Sequence, residues 1–135
     1  MATIELPPEP ASPAAARRFV TESLASSIGA PVEVATLLVS ELVTNAVLHA
    51  RTPMVLNVTA RDGSVRVEVQ DCSAALPALR YYDRTAPTGR GLQMLDVLAS
   101  QWGVDTDDGY KTVWFELAVG NDGDRGPSPP RPRRR

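Results

Sequence analysis

Three polar side chains recur at every fourth position of an otherwise apolar helical stretch. Glu41, Asn45 and His49 lie at i, i+4 and i+8 within residues 31–50. At about 100° per residue they form one stripe, which falls inside the arc of leucines, valines and alanines rather than on the polar face. Burying an unpaired amide costs about 1–3 kcal/mol, and burying an unpaired carboxylate costs more. The stripe therefore indicates either a satisfied internal network or a ligand cavity.

If the stripe lines a cavity, its side chains offer two kinds of chemistry. The Glu41 carboxylate can accept a proton, and the Asn45 amide oxygen can bind a hard cation. His49 shares the stripe, but packing or holding a loop explains a single histidine more simply. Glu41 and Asn45 are therefore the first candidates for function, with His49 as a third.

A second carboxylate is predicted to point inward from a strand. Val65, Val67 and Val69 alternate with polar residues, and Asp71 continues the phase of the valines. A carboxylate at the inward end of a strand can accept a hydrogen bond from the edge of a buried base. It can equally cap the turn that follows.

A glycine-rich segment leads directly into a predicted helix. Residues 88–92 read TGRGL. Glycines let the backbone approach an anion, and the free N–H groups at a helix start favour phosphate. The same pattern is typical of an ordinary loop-to-helix turn, so the segment alone leaves both interpretations open.

The periodicity of the chain predicts the elements that position these residues. Pro13 and a Ser12 cap begin a helix that the apolar spacing extends to Ile28, and a second helix covers 31–50. Two hairpins are predicted, one from strands 54–60 and 64–70 and one within 102–119, because short turns join alternating or β-branched runs. The remaining predicted elements are a strand at 2–6, a long loop at 72–88 and a helix from Gly91. Together they predict an α/β two-layer sandwich with a mixed, mostly antiparallel sheet.

Composition and charge narrow the class of protein. The 135 residues predict a single domain over 1–119, followed by a disordered Pro/Arg-rich tail over 120–135. The net charge is −2; the tail carries +3, so the rest carries −5, which argues against nucleic-acid binding. The single Cys72 excludes a disulfide framework and a cysteine zinc site. With no apolar run of 18 residues and no signal-peptide pattern, we expect a cytoplasmic protein without a membrane span.

Taken in order, the polar segments resemble the motifs of a known family. The chain from about Ala14 to Val119 resembles the GHKL, or Bergerat-fold, ATPases and kinases. It is most similar to the small anti-sigma-factor serine/threonine kinases of the RsbW/SpoIIAB type. The segments that carry the resemblance are SELVTNAVLHA (40–50) for the N box, DCSAALP (71–77) for the G1 box, TGRGLQML (88–95) for the G2 box and KTVWFEL (111–117) for the final strand.

The resemblance implies helices on one face of the sheet and an ATP site with Mg²⁺. Asn45 would ligate the Mg²⁺ that bridges the phosphates, and Glu41 would orient or deprotonate the attacking hydroxyl. Asp71 would accept a hydrogen bond from the adenine amino group, with Thr112 near the adenine through water. His49 completes the N-box spacing and is assigned to the ATP site. The expected phosphate contacts are Gly89, Arg90, Gly91 and Leu92, and residues 72–88 would form the ATP lid.

The family resemblance also implies partners. The expected activity is phosphorylation of an STAS-type anti-anti-sigma factor, with a sigma factor bound in the alternative, and the family often forms homodimers. Arg17 and Arg18 on the first helix are the expected partner surface. The G1 box lacks the family's glycines, which keeps a second interpretation open: a non-catalytic ATP-binding module that acts by partner contact. A detached ATPase is a third interpretation.

Overall fold

The computed structural model describes residues 1–72 and 89–120. Its five-stranded sheet has the order β1-β2-β3-β5-β4, and every pairing among the described strands is antiparallel. The α/β two-layer sandwich predicted from the sequence is confirmed. The elements are β1 (Ala2–Leu6), α1 (Ser12–Ser23), α2 (Val32–Asn45) continued by a π-helical turn (Ala46–Ala50), β2 (Met54–Arg61), β3 (Ser64–Asp71), α3 (Gly89–Leu98), β4 (Gln101–Asp107) and β5 (Tyr110–Ala118).

The core lies between the helices and one face of the sheet. On β3, Val65, Val67 and Val69 are buried, while the residues between them are only partly so. The neighbouring strand β5 repeats this alternation with Phe115 and Leu117. Successive side chains of a strand point to opposite faces, so these apolar residues show which face of β3 and β5 points toward the helices. Any polar residue in their phase is carried toward the helices.

The central helix of the core is apolar enough to need an explanation. By length and composition alone, Val32–Ala50 could cross a membrane, which the sequence reasoning did not anticipate. In the structure one side of the helix, including Leu38, Val39 and Val43, is buried in the core, whereas Leu37 and Leu48 are exposed. The helix packs against α1, β3 and α3. This packing accounts for the apolar residues on the buried side of the helix.

The end of that helix departs from regular α-helical geometry. Residues Ala46–Ala50 form a π-helical turn, in which the Arg51 N–H donates to the Ala46 carbonyl at 3.0 Å. Arg51 itself is left-handed, with φ of 57°. A π turn holds more residues than an α turn, so a wheel drawn at constant rotation fails beyond Asn45. His49, on this turn, is exposed, although the wheel placed it inside the apolar arc.

The first helix is shorter than predicted, and its start is capped differently. It ends at Ser23 rather than Ile28, because the Ala25 N–H turns back to the Glu22 carbonyl in a three-residue step. Ile28 is therefore exposed. Ser12 does not cap the helix; its hydroxyl donates to the Pro7 carbonyl and ties α1 to the end of β1.

The outer face of the sheet carries a polar cluster that uses two of the chain's carboxylates. Arg66 donates to Glu68 at 2.9 Å and to Glu116 at 2.8 Å, and its guanidinium lies 4.1 Å from the Trp114 ring centroid. Partial burial lowers the pKa of Arg66, but the hydrogen bonds and charges of the two glutamates outweigh it and raise the pKa overall. These glutamates hold an arginine in place and are not candidates for chemistry on the inner face.

Candidate functional site

Asp71 ends β3 with its side chain on the inner face of the sheet. The strand's alternation continues through it, and the residue is only 3% exposed. The inward position predicted from the valine phase is therefore confirmed. A carboxylate accepts hydrogen bonds only, so a nearly buried one at a strand end is suited to receive an N–H group of a ligand.

A lysine that the sequence reasoning missed lies directly beside this carboxylate. Lys111 on β5 pairs in register with Asp71, and the Lys111 Nζ lies 4.0 Å from the Asp71 Oδ2. Both side chains are nearly buried, at 11% and 4% exposed. Lys111 falls in phase with the inward residues Val113 and Phe115. That period-two phase is the signal by which the sequence could have identified it.

Thr112 lies on the opposite face of the sheet from Asp71. It pairs with Gln70 on β3, and residues paired across an antiparallel ladder share a face. Thr112 is half-buried there, on the side of the Arg66 cluster. Thr112, which was expected near the adenine through water, therefore lies across the sheet from the Asp71 side chain. The residue on the Asp71 face is Lys111, one position before Thr112. A shift of one residue along a strand moves a side chain to the other face of the sheet.

The last turns of α2 carry the two leading stripe residues. Asn45 is buried, at 8% exposed, and Glu41 is half-buried one turn earlier. Since α2 packs against both β3 and α3, these side chains lie on the helix that joins the Asp71 strand to the α3 segment. The inward position predicted for Asn45 is confirmed. Glu41 is only half-buried. His49 lies on the π turn and is exposed.

The glycine-rich segment forms the first turn of α3. The helix begins at Gly89, two residues before the predicted start, so Gly89, Arg90, Gly91 and Leu92 are all helical. The first N–H groups of an α-helix have no partner within the helix. A ten-residue helix that begins here presents those groups in the manner expected for an anion. The predicted lid covers residues 72–88, and all of it except Cys72 lies outside the described residues.

A threonine holds the backbone that follows Asp71. The Cys72 N–H donates to the Thr52 Oγ1 at 3.1 Å, which joins the end of β3 to the segment after the π turn. Thr52 gave no sequence signal, because a threonine between a helix and a strand fits any loop.

The two arginines predicted as a partner surface are exposed on α1. Arg17 donates to the Ser40 hydroxyl on α2 at 2.8 Å. Arg17 and Arg18 line an open groove of about 450 Å³, together with Ala14, Thr21, Glu22 and Thr36. The groove lies between α1 and the start of α2, and it contains none of the stripe residues.

The metal-ligating groups of the site fit a Mg²⁺ ion that is held mainly by water and by the phosphates of a ligand. Among residues 1–72 and 89–120, no group of three or more His, Cys, Asp or Glu side chains could hold a metal ion by itself. Mg²⁺ is commonly bound through one or two protein oxygens plus substrate phosphates. The Asn45 amide oxygen fits the first role, and the α3 start fits the phosphates.

This architecture is that of the Bergerat ATPase fold: an open antiparallel sheet with helices, and polar residues on the central helix and on the strand it packs against. The family model described as "Histidine kinase-like ATPase domain" matches residues 6–117. The chain therefore belongs to the histidine kinase-like ATPase family. No curated protein matches it significantly.

Among solved structures, the chain is similar to the RsbU and RsbW domains of Rv1364c from Mycobacterium tuberculosis. The TM-score is 0.65 at 21% sequence identity. The similarity covers 88% of this chain and 33% of that one, so the chain spans about a third of the length of that structure. At this identity the likeness shows the fold, which is RsbW-like.

Proposed function

We propose that the chain is an ATP-binding serine/threonine protein kinase of the anti-sigma-factor type. It would phosphorylate an STAS-type antagonist and sequester a sigma factor in the cytoplasm, as a homodimer in the manner of the family. The observation that carries the proposal is the placement of a buried amide, Asn45, and a buried carboxylate, Asp71, on two packed elements of an ATPase fold. The structural neighbour consists of RsbU and RsbW domains, and this supports the proposed class of partner.

In this proposal each residue has a separate task. Asp71 accepts a hydrogen bond from the adenine amino group, and Asn45 ligates Mg²⁺ through its amide oxygen. The backbone N–H groups of Gly89–Leu92 bind phosphate. Mg·ATP supplies the phosphoryl group, and positioning with charge neutralisation provides most of the catalysis in such transfers. Glu41, half-buried one turn before Asn45, accepts the proton of the attacking hydroxyl.

One observation favours a second function, an ATP-binding regulator that acts by contact alone. The segment after Asp71 reads CSAAL, without the glycines of the wider family. Glycines permit backbone conformations that a moving segment needs. A segment without them moves less, which favours a nucleotide that stays bound. In this alternative ATP is a structural ligand and no phosphate moves.

The two functions separate in a transfer assay. The purified full chain is incubated with γ-labelled ATP, Mg²⁺ and candidate STAS proteins, and label on the STAS protein, free phosphate and complex formation are measured. The kinase proposal expects label on a serine or threonine of the partner. Partner binding with no label would favour the contact-only regulator, and free phosphate without label would indicate a detached ATPase.

Glu41→Gln is the variant that tests the base. We expect transfer to slow by about 10²–10⁴-fold, the usual contribution of a positioned base, with Mg·ATP binding nearly unchanged. The matched control is Glu33→Gln, an exposed glutamate in the first turn of the same helix. Equal rates for the two variants would contradict the role of Glu41.

A further inference from the structure

Lys111 occupies a position that is unusual for a lysine. It lies in the inward phase of β5, opposite Asp71 in the register, and its side chain is only 11% exposed. Lysine is almost never buried unless it is paired. Removing two charges from water carries a cost that their attraction offsets only with good geometry, so a nearly buried pair calls for a reason beyond stability.

The Lys111 ammonium lies beside the Asp71 carboxylate. The distance from Lys111 Nζ to Asp71 Oδ2 is 4.0 Å. The two groups form an ion pair, and because an ammonium has three donors and a carboxylate has about four acceptor sites, each can serve more than one partner. The carboxylate can only accept hydrogen bonds, and the ammonium can only donate them. The inner face at the end of β3 therefore presents an acceptor and a donor next to each other.

This arrangement is complementary to one edge of adenine. The 6-amino group of adenine is a donor, and a ring nitrogen that accepts, N1 on one side and N7 on the other, lies next to it. We propose that Lys111 donates to that ring nitrogen while Asp71 accepts from the amino group. Lys111 is then a specificity-determining residue of the nucleotide site, an assignment that rests on the proposed ATP binding.

The test measures nucleotide affinity by calorimetry on the purified full chain. The probes are ATP and two analogues that keep the amino group but lack one ring nitrogen, 1-deaza-ATP and 7-deaza-ATP. For the native chain, one analogue should bind about 10- to 100-fold more weakly than ATP, as expected when a hydrogen bond to a charged group is lost. In Lys111→Met, ATP should weaken by a similar factor, and the difference between ATP and that analogue should vanish.

Lys111→Arg is the matched control, because it keeps the charge and the donors. It should retain a preference for ATP over the same analogue, and circular dichroism melting checks that each variant folds. If Lys111→Met does not fold, Lys111→Gln replaces it; the neutral amide should shrink the preference.

Three results would overturn or redirect the inference. Equal affinity of the native chain for ATP and both analogues overturns it, whichever variants fold. A preference that is undiminished in a folded Lys111→Met also overturns it and leaves the pair a purely structural contact. Absence of any ATP binding by the native chain would instead refute the proposed function itself.

Discussion

Glu41 and Asn45 lie one helical turn apart on α2, but the protein surrounds them differently. Asn45 is buried against the core, whereas Glu41 is half-buried. A buried amide with its oxygen toward a site is suited to a fixed ligand, such as a metal ion. A half-buried carboxylate remains accessible to a group that arrives from another molecule. In the proposed function, this difference in burial suits Asn45 to a binding role and Glu41 to a transfer role.

Asn45→Ala should therefore weaken Mg·ATP much more than metal-free ATP. The substitution removes the amide oxygen that we assign to Mg²⁺, and only the metal complex depends on it. Titrations with ATP in Mg²⁺ and in EDTA provide the measurement, and Asn57→Ala, a polar change on the outer side of β2, is the control. If Asn45→Ala weakens both titrations equally, the residue contributes to the pocket without binding the metal.

The inward residues of the site were predictable wherever one period holds along an element. Asp71 follows from the valine alternation of β3, and Asn45 follows from the α-helical period of α2. His49 does not: it is exposed on the π turn after Asn45, where the rotation per residue changes. Thr112 and Lys111 differ by one strand position, and motif matching selected the outward one of the two. Predicting that Lys111 pairs with Asp71 requires the register between β3 and β5, and the sequence of one strand does not determine that register.

At the scale of elements, one hydrogen bond connects the end of β3 to the segment after the π turn. The hydrogen bond from the Cys72 N–H to the Thr52 hydroxyl makes that connection. The two hairpins were predictable because local turns join alternating runs. The Thr52 contact was not, since it joins residues 20 positions apart in the chain through a side chain.

Thr52→Val tests this connection. Valine keeps the shape of threonine but leaves the Cys72 N–H without its acceptor, which should lower the free energy of unfolding by about 0.5–1.5 kcal/mol. ATP affinity should also fall several-fold, because the backbone next to Asp71 is released. Urea unfolding and ATP titration are the measurements. Thr52→Ser restores the hydroxyl and should restore both values; if serine and valine behave alike, the hydroxyl has no such role.

At the scale of the whole molecule, charge is distributed unevenly around the groove between α1 and α2. Residues 1–119 carry a net charge of −5, yet Arg17 and Arg18 are both exposed at this groove. Local positive charge on an acidic body orients an acidic partner as it approaches. None of the stripe residues lines the groove, so the proposed partner contact and the proposed nucleotide contact should be separable by substitution.

The double change Arg17→Glu and Arg18→Glu should abolish binding of the STAS or sigma partner and leave ATP binding intact. Reversal of charge at the groove places like charges opposite an acidic partner. Surface plasmon resonance with the partner and ATP calorimetry give the two readings. Arg61→Glu, an exposed arginine at the β2–β3 turn, is the charge-reversal control. Partner affinity that survives the double change at low salt would place the interface elsewhere.

The end of β3 and the C-terminal end of α2 carry the proposed ATP site, and one titration tests it most directly. Mg·ATP is titrated into the native full chain and into Asp71→Asn, whose amide can present a donor to the adenine amino group. We predict saturable binding to the native chain and a loss of about 1–3 kcal/mol in the variant, the cost of one unsatisfied buried hydrogen bond. Equal affinity of a folded Asp71→Asn and the native chain would contradict an ATP site at this position.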